Sequence, residues 1–122
     1  MNRLILLIAS LIVMSMVLMT NQVSAKYFIG AGTNSCGAWL EARKIHGGRA
    51  MDMQAWVLGY VSGRNQADPR DKDFLVEPDA EALFAWLDSY CPRHPLDKFV
   101  SAINALIYDL SMRAAVAGTK PK

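Results

Sequence analysis

Histidine is scarce in this chain. Its 122 residues include only two histidines, His46 and His94, and each falls at the edge of a helical pattern with no second ligand close to it in sequence. A metal site needs three or four converging ligands, and none of the familiar spacings is present. We therefore expect no metal and no cofactor, and we interpret both histidines as groups that face helix ends.

The sequence elements that mark enzymes are missing as well. There is no Gly-x-Ser-x-Gly elbow and no phosphate-binding loop, and Ser62 lies inside a helical pattern where a nucleophile would have no base. Trp39, Trp56 and Trp86 each have apolar neighbours at helical spacing, so we interpret them as core residues and not as a ligand-binding cage. The sequence predicts a protein that is not an enzyme and has no catalytic residues.

A strong excess of one charge is also absent. Lysine and arginine together number 13, and aspartate and glutamate number 11. The first 25 residues hold one of the basic residues and none of the acidic ones, so the rest of the chain carries +1 with both histidines neutral. A nearly neutral domain has no electrostatic footprint for nucleic acid or for an anionic membrane surface. We expect a protein partner and no nucleic-acid partner.

The start of the chain has the pattern of an export signal. Asn2 and Arg3 form a short cationic segment, residues 4–19 are almost all aliphatic or Met, and residues 23–25 supply the small residues of a cleavage site. The apolar run of about 16 residues is shorter than the roughly 20 that span a bilayer. We predict a signal peptide over residues 1–25, no stable membrane anchor after its cleavage, and export across the inner membrane to the periplasm.

Export determines the expected state of the two cysteines. In an oxidising compartment, Cys36 and Cys91 predict one intramolecular disulfide that closes a loop of 55 residues. The 97 residues after the leader are enough for one small domain. We divide them into an N-terminal arm (26–34), a single helical domain (35–117) and a flexible tail (118–122).

Hydrophobic spacing predicts four helices and no series of strands, hence an all-α, four-helix bundle-like domain. Pro78 and Pro95 are expected at the first positions of the third and fourth helices. The apolar stripe of the fourth helix is expected to begin at Leu96. The predicted helices cover residues 36–45, 51–65, 78–91 and 95–117.

Two glycines lie four residues apart in the second predicted helix, at Gly59 and Gly63. Glycine inside a helix costs about 1 kcal/mol of stability relative to alanine. Close approach of another helix, or of a large side chain, is the usual compensation. We therefore predict that these glycines mark a tight helix crossing.

The polar segment that follows, residues 66–77, is the candidate binding surface. It is long for a connection between two helices, and its acidic and basic residues alternate. The glycine and glutamate of a calcium-binding loop are missing, so we interpret it as a self-neutralised, solvated loop. The residues predicted to contact a protein partner are Arg64, Asn65, Asp68, Arg70 and Asp71.

Four strings of residues carry a resemblance to a known family. They are SCGAWL at residues 35–40, WVLGYVSG at 56–63, WLDSYCP at 86–92 and HP at 94–95. The arrangement resembles small secreted proteobacterial proteins of the Rap1a/Tai immunity type, and the similarity covers most of residues 35–112. It also looks, more loosely, like the HdeA acid-stress chaperones, which are small periplasmic helical domains with one long-range disulfide.

Each resemblance implies a different function. Rap1a/Tai-type proteins are implied to bind and block a peptidoglycan-cleaving effector that reaches the periplasm. An HdeA-like protein would instead loosen in acid and bind unfolded clients. A third alternative is a structural component of the cell envelope. The matching residues are those of the fold, so the resemblance assigns no residue that contacts a partner.

Overall fold

The computed structural model describes residue 3, residues 27–70 and residues 72–118. These residues confirm the all-α prediction, since they contain four helices and no strand. The predicted signal peptide lies outside the described residues except for Arg3, and so do Asp71 and the tail from residue 119. The helices are α1 (Cys36–Ile45), α2 (Gly48–Gln66), α3 (Ala80–Tyr90) and α4 (Phe99–Ala117).

Two of the helices, α1 and α3, begin directly after a residue whose side chain caps the first turn. The Ser35 hydroxyl accepts a hydrogen bond from the Ala38 N–H at 3.2 Å, at the start of α1. The Asp79 carboxylate accepts one from the Ala82 N–H at 2.8 Å, at the start of α3. The placement of Pro78 at the first helical position is therefore wrong, because Asp79 is the cap and Pro78 precedes it.

The start of the last helix was also predicted too early. Pro95 and Leu96 lie in a turn, and α4 begins only at Phe99. Leu96 is 94% exposed and so does not belong to the buried stripe. Instead of starting α4, the turn supplies carbonyl groups that accept hydrogen bonds from the first N–H groups of α1. The Cys36 N–H donates to the Asp97 oxygen and the Gly37 N–H to the Pro95 oxygen, both at 2.9 Å.

The predicted disulfide is present between Cys36 and Cys91, whose Cα atoms are 5.0 Å apart. Both cysteines are fully buried, and the bond joins the first residue of α1 to a 3₁₀ turn (Cys91–Arg93) that follows α3. In the chain-entropy account, a loop of this length contributes about 4 kcal/mol to the free energy of unfolding. A small domain has only about 5–15 kcal/mol in total.

A tryptophan lies at the centre of the core. Trp39 is fully buried and stacks on Phe99 of α4, with 5.0 Å between ring centroids. Its indole N–H donates to Asp88 of α3 at 2.8 Å, and Arg43 donates to the same carboxylate at 2.8 Å. The sequence also allows a surface ion pair between Asp88 and Arg93, five residues apart, but in the structure the carboxylate is held by two residues of α1 instead.

The arm that precedes α1 packs against the second tryptophan. A 3₁₀ turn (Ala31–Thr33) places Gly32 against the Trp56 ring, and a Cβ on Gly32 would lie within 3.0 Å of three of its atoms. The Trp56 indole N–H donates to the Ile29 carbonyl at 3.1 Å. Only the second half of the arm is packed in this way, because Tyr27 is 97% exposed.

The tight helix crossing predicted at Gly59 and Gly63 is wrong. Both glycines are exposed on α2, and a Cβ at either one would meet nothing within 4 Å. The close approach to a large side chain is made instead by Gly32 against Trp56.

These glycines give a direct stability test. We expect Gly59→Ala and Gly63→Ala each to raise the free energy of unfolding by about 0.5–1 kcal/mol, because alanine restricts the unfolded chain and meets open space in the fold. Gly32→Ala should lower it, because the new methyl group overlaps the Trp56 ring. Urea unfolding of the three variants gives these values, and destabilisation by Gly59→Ala would restore the helix-crossing interpretation.

Candidate binding groove

The residues predicted to form a binding loop separate into two groups. Arg64 and Asn65 belong to the last turn of α2, and Asp68 and Arg70 lie in the connection that follows it. Arg64 is turned towards α4, where its guanidinium donates to the Asn104 side-chain oxygen at 3.2 Å. The predicted set is therefore not a single contact surface.

Asn65 fixes the shape of the connection. Its side-chain amide donates to Asp73 at 2.8 Å, and its side-chain oxygen accepts from the Phe74 N–H at 3.0 Å. Phe74 is only 4% exposed and so anchors the far end of the connection in the core. Val76, two residues further along the chain, is 75% exposed. Asn65 is thus a structural residue, and Val76 is the accessible one.

Asp68 and Arg70 neutralise each other within one turn. The Arg70 guanidinium and backbone N–H both donate to the Asp68 carboxylate, with distances of 2.6–2.9 Å. The side-chain hydrogen bonds from Arg70 are the main reason that the pKa of Asp68 is lowered from 3.8 to about 2. This agrees with the interpretation of the segment as a self-neutralised loop.

A groove of about 420 Å³ lies between the end of this connection and the last turns of α4. Its floor is apolar, because Phe74 and Leu110 are buried beneath it and Ala114 lines its side. None of these three residues was predicted to contact a partner. The remaining lining residues are Asp73, Val76, Glu77, Pro78, Arg113 and Ala117.

The rim of the groove carries both signs of charge. Glu77 is exposed and makes no hydrogen bond or ion pair with the described residues. Arg113 is 72% exposed and pairs with Asp109 one turn before it, at 3.1 Å. An apolar floor with a charged rim is the usual make-up of a protein-binding surface. The signal for this groove in the sequence is weak, because its two walls are more than 30 residues apart.

A second depression lies beside α1 and the 3₁₀ turn that follows α3, lined by Leu40, Lys44 and Pro92. Its two other charged groups, Arg43 and Asp88, bond to each other across it. The hydrogen bond and the charge of Asp88 raise the pKa of Arg43. Because Arg43 and Asp88 already pair with each other, they are less available to bind a partner than the rim of the groove is.

Two aromatic stacks were not foreseen as surface features. On α2, Trp56 stacks on Tyr60 with centroids 4.9 Å apart. On α3, Trp86 stacks on Tyr90 at 5.1 Å, and Tyr90 stacks on His94 at 4.2 Å. The tryptophans and tyrosines are half-buried, so the expectation that Trp56 and Trp86 are core residues holds only in part.

The polar atoms of these stacks bond to neighbouring elements. The Tyr90 hydroxyl donates to Asp97 at 3.1 Å, and burial together with this hydrogen bond raises the pKa of Tyr90. The Trp86 indole N–H donates to Asp109 of α4 at 3.1 Å. These two hydrogen bonds join Trp86 and Tyr90 of α3 to α4 and to the turn that precedes it.

Over residues 27–70 and 72–118, no three His, Cys, Asp or Glu side chains are grouped so that they could hold a metal ion. His46 ends α1 in a left-handed conformation, with φ of 51°, and its N–H donates to the Ala42 carbonyl at 3.3 Å. His94 lies 3.7 Å from the Asp97 carboxylate.

Comparison with known proteins adds no identity. No protein-family model matches the chain, and no curated protein and no solved structure matches it significantly.

The Asp68–Arg70 pair predicts an unusually acidic carboxyl group. We expect the NMR titration of Asp68 to have its midpoint near pH 2, where an ordinary aspartate titrates near 3.9. Because the folded-state pKa is the lower one, the pair stabilises the fold above pH 3.8, and this contribution is lost as the pH falls through about 2. Arg70→Gln should raise the midpoint towards the ordinary value.

Lys72→Gln is the matched control, because it removes the same charge from the same segment without touching Asp68. An Asp68 midpoint near 4 in the unaltered protein would contradict the ion pair.

Proposed function

We propose that this protein is an exported, non-enzymatic binding protein that holds a protein partner in the groove between Phe74 and α4. The resemblance to immunity proteins favours a partner of one class, an effector that attacks the cell wall. The predicted signal peptide and the disulfide both fit an oxidising compartment outside the inner membrane. The groove itself is the observation on which the proposal chiefly rests.

The groove favours a partner that presents an apolar side chain next to a cation. The apolar chain would lie over the floor that Phe74 and Leu110 form. The cation would pair with Glu77, the rim carboxylate that has no partner among the described residues. Burying one such anchor gives a large share of the binding energy in many protein complexes.

The wall that bears Val76 and Glu77 is held in place before any partner arrives. Asn65 bonds to both Asp73 and the Phe74 N–H, and the buried Phe74 ring fixes the same point from beneath. A wall that is already ordered costs less conformational entropy on binding. This favours a tight and specific partner over a set of unrelated clients.

A second candidate function, the acid-stress chaperone, is favoured by a separate observation. The carboxylates of Asp88, Asp97 and Asp109 each accept hydrogen bonds that join different elements of the domain. Carboxyl groups become neutral around and below pH 4. The charge of the exported chain would then rise from +1 towards +14, and self-repulsion would loosen a domain that the disulfide keeps compact.

The groove proposal predicts the effect of a single substitution. Val76→Asp should weaken binding to the natural partner at least tenfold, because it puts a charge on an exposed apolar position of the groove. The partner is isolated by pull-down from secreted and periplasmic fractions, identified by mass spectrometry, and titrated by calorimetry. We expect one stoichiometric partner that hydrolyses peptidoglycan and is inhibited when bound.

Ile45→Asp is the matched control, because Ile45 is similarly exposed, at 69%, and lies at the end of α1 outside the groove. Equal weakening by both variants would place the binding surface elsewhere. A partner without cell-wall activity would overturn the immunity role but leave the groove intact.

The two proposed functions predict different behaviour at low pH. A chaperone should suppress aggregation of unrelated proteins near pH 2–3 and bind a hydrophobic dye there, because loosened helices expose apolar faces. An immunity protein should show no such general activity at any pH. Light scattering of an acid-sensitive client with and without this protein distinguishes them.

A further inference from the structure

The charged side chains that line the groove are not equally compensated. They are Asp73, Glu77 and Arg113. Of these three, only Arg113 has an ion-pair partner among the described residues, the Asp109 carboxylate at 3.1 Å. Asp109 does not itself belong to the groove lining. The positive charge of the groove is therefore cancelled from outside it, and the two negative charges are not.

Asp73 keeps its charge although its side chain is hydrogen-bonded. One carboxylate oxygen accepts from the Asn65 side-chain amide at 2.8 Å and from the Leu75 N–H at 2.9 Å. Both donors are neutral, so these hydrogen bonds hold the carboxylate in place without cancelling its charge. Glu77, four residues further along the same wall, is exposed and makes no ion pair with the described residues. This wall thus presents two uncompensated carboxylates.

The end of α4 adds to the negative charge of the groove. Ala114 and Ala117 lie in the last turns of α4 and line the groove, so the C-terminal end of the helix dipole is located there. That end is equivalent to about half a negative charge. No basic residue in the last turn of α4 offsets it. The apolar floor therefore lies in an electrostatic field that favours cations.

Asp109 is held in the position from which it pairs with Arg113. Its Oδ2 atom accepts hydrogen bonds from the Arg113 side chain and from the Trp86 indole N–H, each at 3.1 Å. Trp86 belongs to α3 and stacks on Tyr90, with centroids 5.1 Å apart. A second helix thus fixes the carboxylate, and Arg113, one turn later on α4, is bound to it.

We propose that the groove prefers a partner segment in which basic residues flank an apolar one, and that Asp109 sets this preference by cancelling the charge of Arg113. This inference rests on the proposed function, since it names the chemistry of the segment that the groove takes. Asp109 is a positioning residue in this arrangement, because it acts on the partner only through Arg113.

The dimensions of the groove fit a segment of this kind. Its volume of about 420 Å³ is near the lower end of the roughly 300–1,000 Å³ range of ligand pockets, so it takes the side chains of a few residues. The apolar residue lies over Phe74 and Leu110, and the basic residues reach Asp73 and Glu77. The aliphatic stems of lysine and arginine extend over the same apolar floor. An acidic segment of equal shape meets two like charges and is rejected.

The first experiment compares two short blocked peptides, Gly-Lys-Leu-Lys-Gly and its counterpart with glutamate in place of lysine. Each is titrated into the isotope-labelled protein, expressed from the full chain and purified as the host processes it, and followed by NMR. At about 10 mM salt, where the Debye length is about 30 Å, we expect the lysine peptide to bind about tenfold more tightly. It should shift the amide signals of Phe74, Val76 and Ala114. In about 1 M salt, where the Debye length is about 3 Å, the preference should disappear.

The second experiment is a double-mutant cycle at Asp109 and Arg113. Asp109→Asn keeps an acceptor for the Trp86 indole but leaves Arg113 uncompensated, so the ratio of the two dissociation constants should fall to about threefold or less. Arg113→Gln should leave the ratio at or above its original value. The double variant should restore the original ratio, because the uncompensated cation is then gone. This rescue separates an effect of charge from a loss of structure.

Asp52→Asn is the matched control. Asp52 is exposed on α2 outside the groove lining, and its substitution changes the net charge by the same amount as Asp109→Asn. It should leave the ratio unchanged. Lys120 and Lys122, which follow α4 outside the described residues, are present in every variant and so cancel in the comparison. Urea unfolding checks that each variant is folded.

The outcomes distinguish the charge preference from the groove itself. Equal binding of both peptides in the groove would overturn the preference and leave the proposed function intact. An equal fall of the ratio in Asp109→Asn and Asp52→Asn would overturn the role of Asp109. If neither peptide shifts a groove amide at about 5 mM, which detects a dissociation constant near 1 mM, the preference is overturned as well. The Val76→Asp comparison with the natural partner then tests the groove separately.

Discussion

The covalent bond between Cys36 and Cys91 determines how the helices of this domain are arranged. It holds the first turn of α1 beside the segment that leaves α3. The same segment continues into the turn at residues 94–98, whose carbonyls accept from the first N–H groups of α1. The disulfide and these backbone bonds therefore occupy one place, where α1, α3 and the start of α4 meet. Apolar packing completes the domain around this junction.

The other end of the α1–α3 contact depends on one carboxylate. Asp88 accepts hydrogen bonds from the buried Trp39 indole and from Arg43, so α3 satisfies both of these donors on α1. An indole N–H with no acceptor in a buried position would cost about 1–3 kcal/mol. The disulfide and the Asp88 contacts fix the two helices at two points, and the orientation of α3 follows from this. Since α3 follows the connection that forms the groove wall, its placement also sets the position of Val76 and Glu77 relative to α4.

The sequence was sufficient to predict the features that depend on periodicity or on a forced choice. The apolar spacing of Leu106, Ile107 and Leu110 is enough to predict α4, and two cysteines allow only one bridge. Features that depend on distant partners were not predictable. Asp79 and Pro78 both suit the start of a helix, and only the hydrogen bond to Ala82 decides between them.

In the candidate site, even more of the structure depends on partners that are distant in sequence. The polar composition of residues 66–77 indicated a surface loop, and the structure agrees. The composition did not indicate that the Asn65 side chain hydrogen-bonds to Asp73 and to the Phe74 N–H. These hydrogen bonds form only when the loop closes on itself. The apolar floor contributed by Leu110 was not apparent, since Leu110 is an ordinary core residue in the helical pattern. A groove between two distant segments requires the tertiary arrangement to be known first.

The composition of α4 connects the fold to the groove. A core helix of a small domain needs one apolar face, and α4 supplies this with residues such as Phe99, Ile103 and Leu106. Its apolar side chains nevertheless continue around the helix, through Leu110 and Ala114 at the groove and through Tyr108 and Met112 on the opposite face. Exposed apolar area of this kind is unfavourable in water and favours aggregation. A contact between the groove and a protein partner would remove part of that cost, and this is the physical reason to treat the groove as a binding surface.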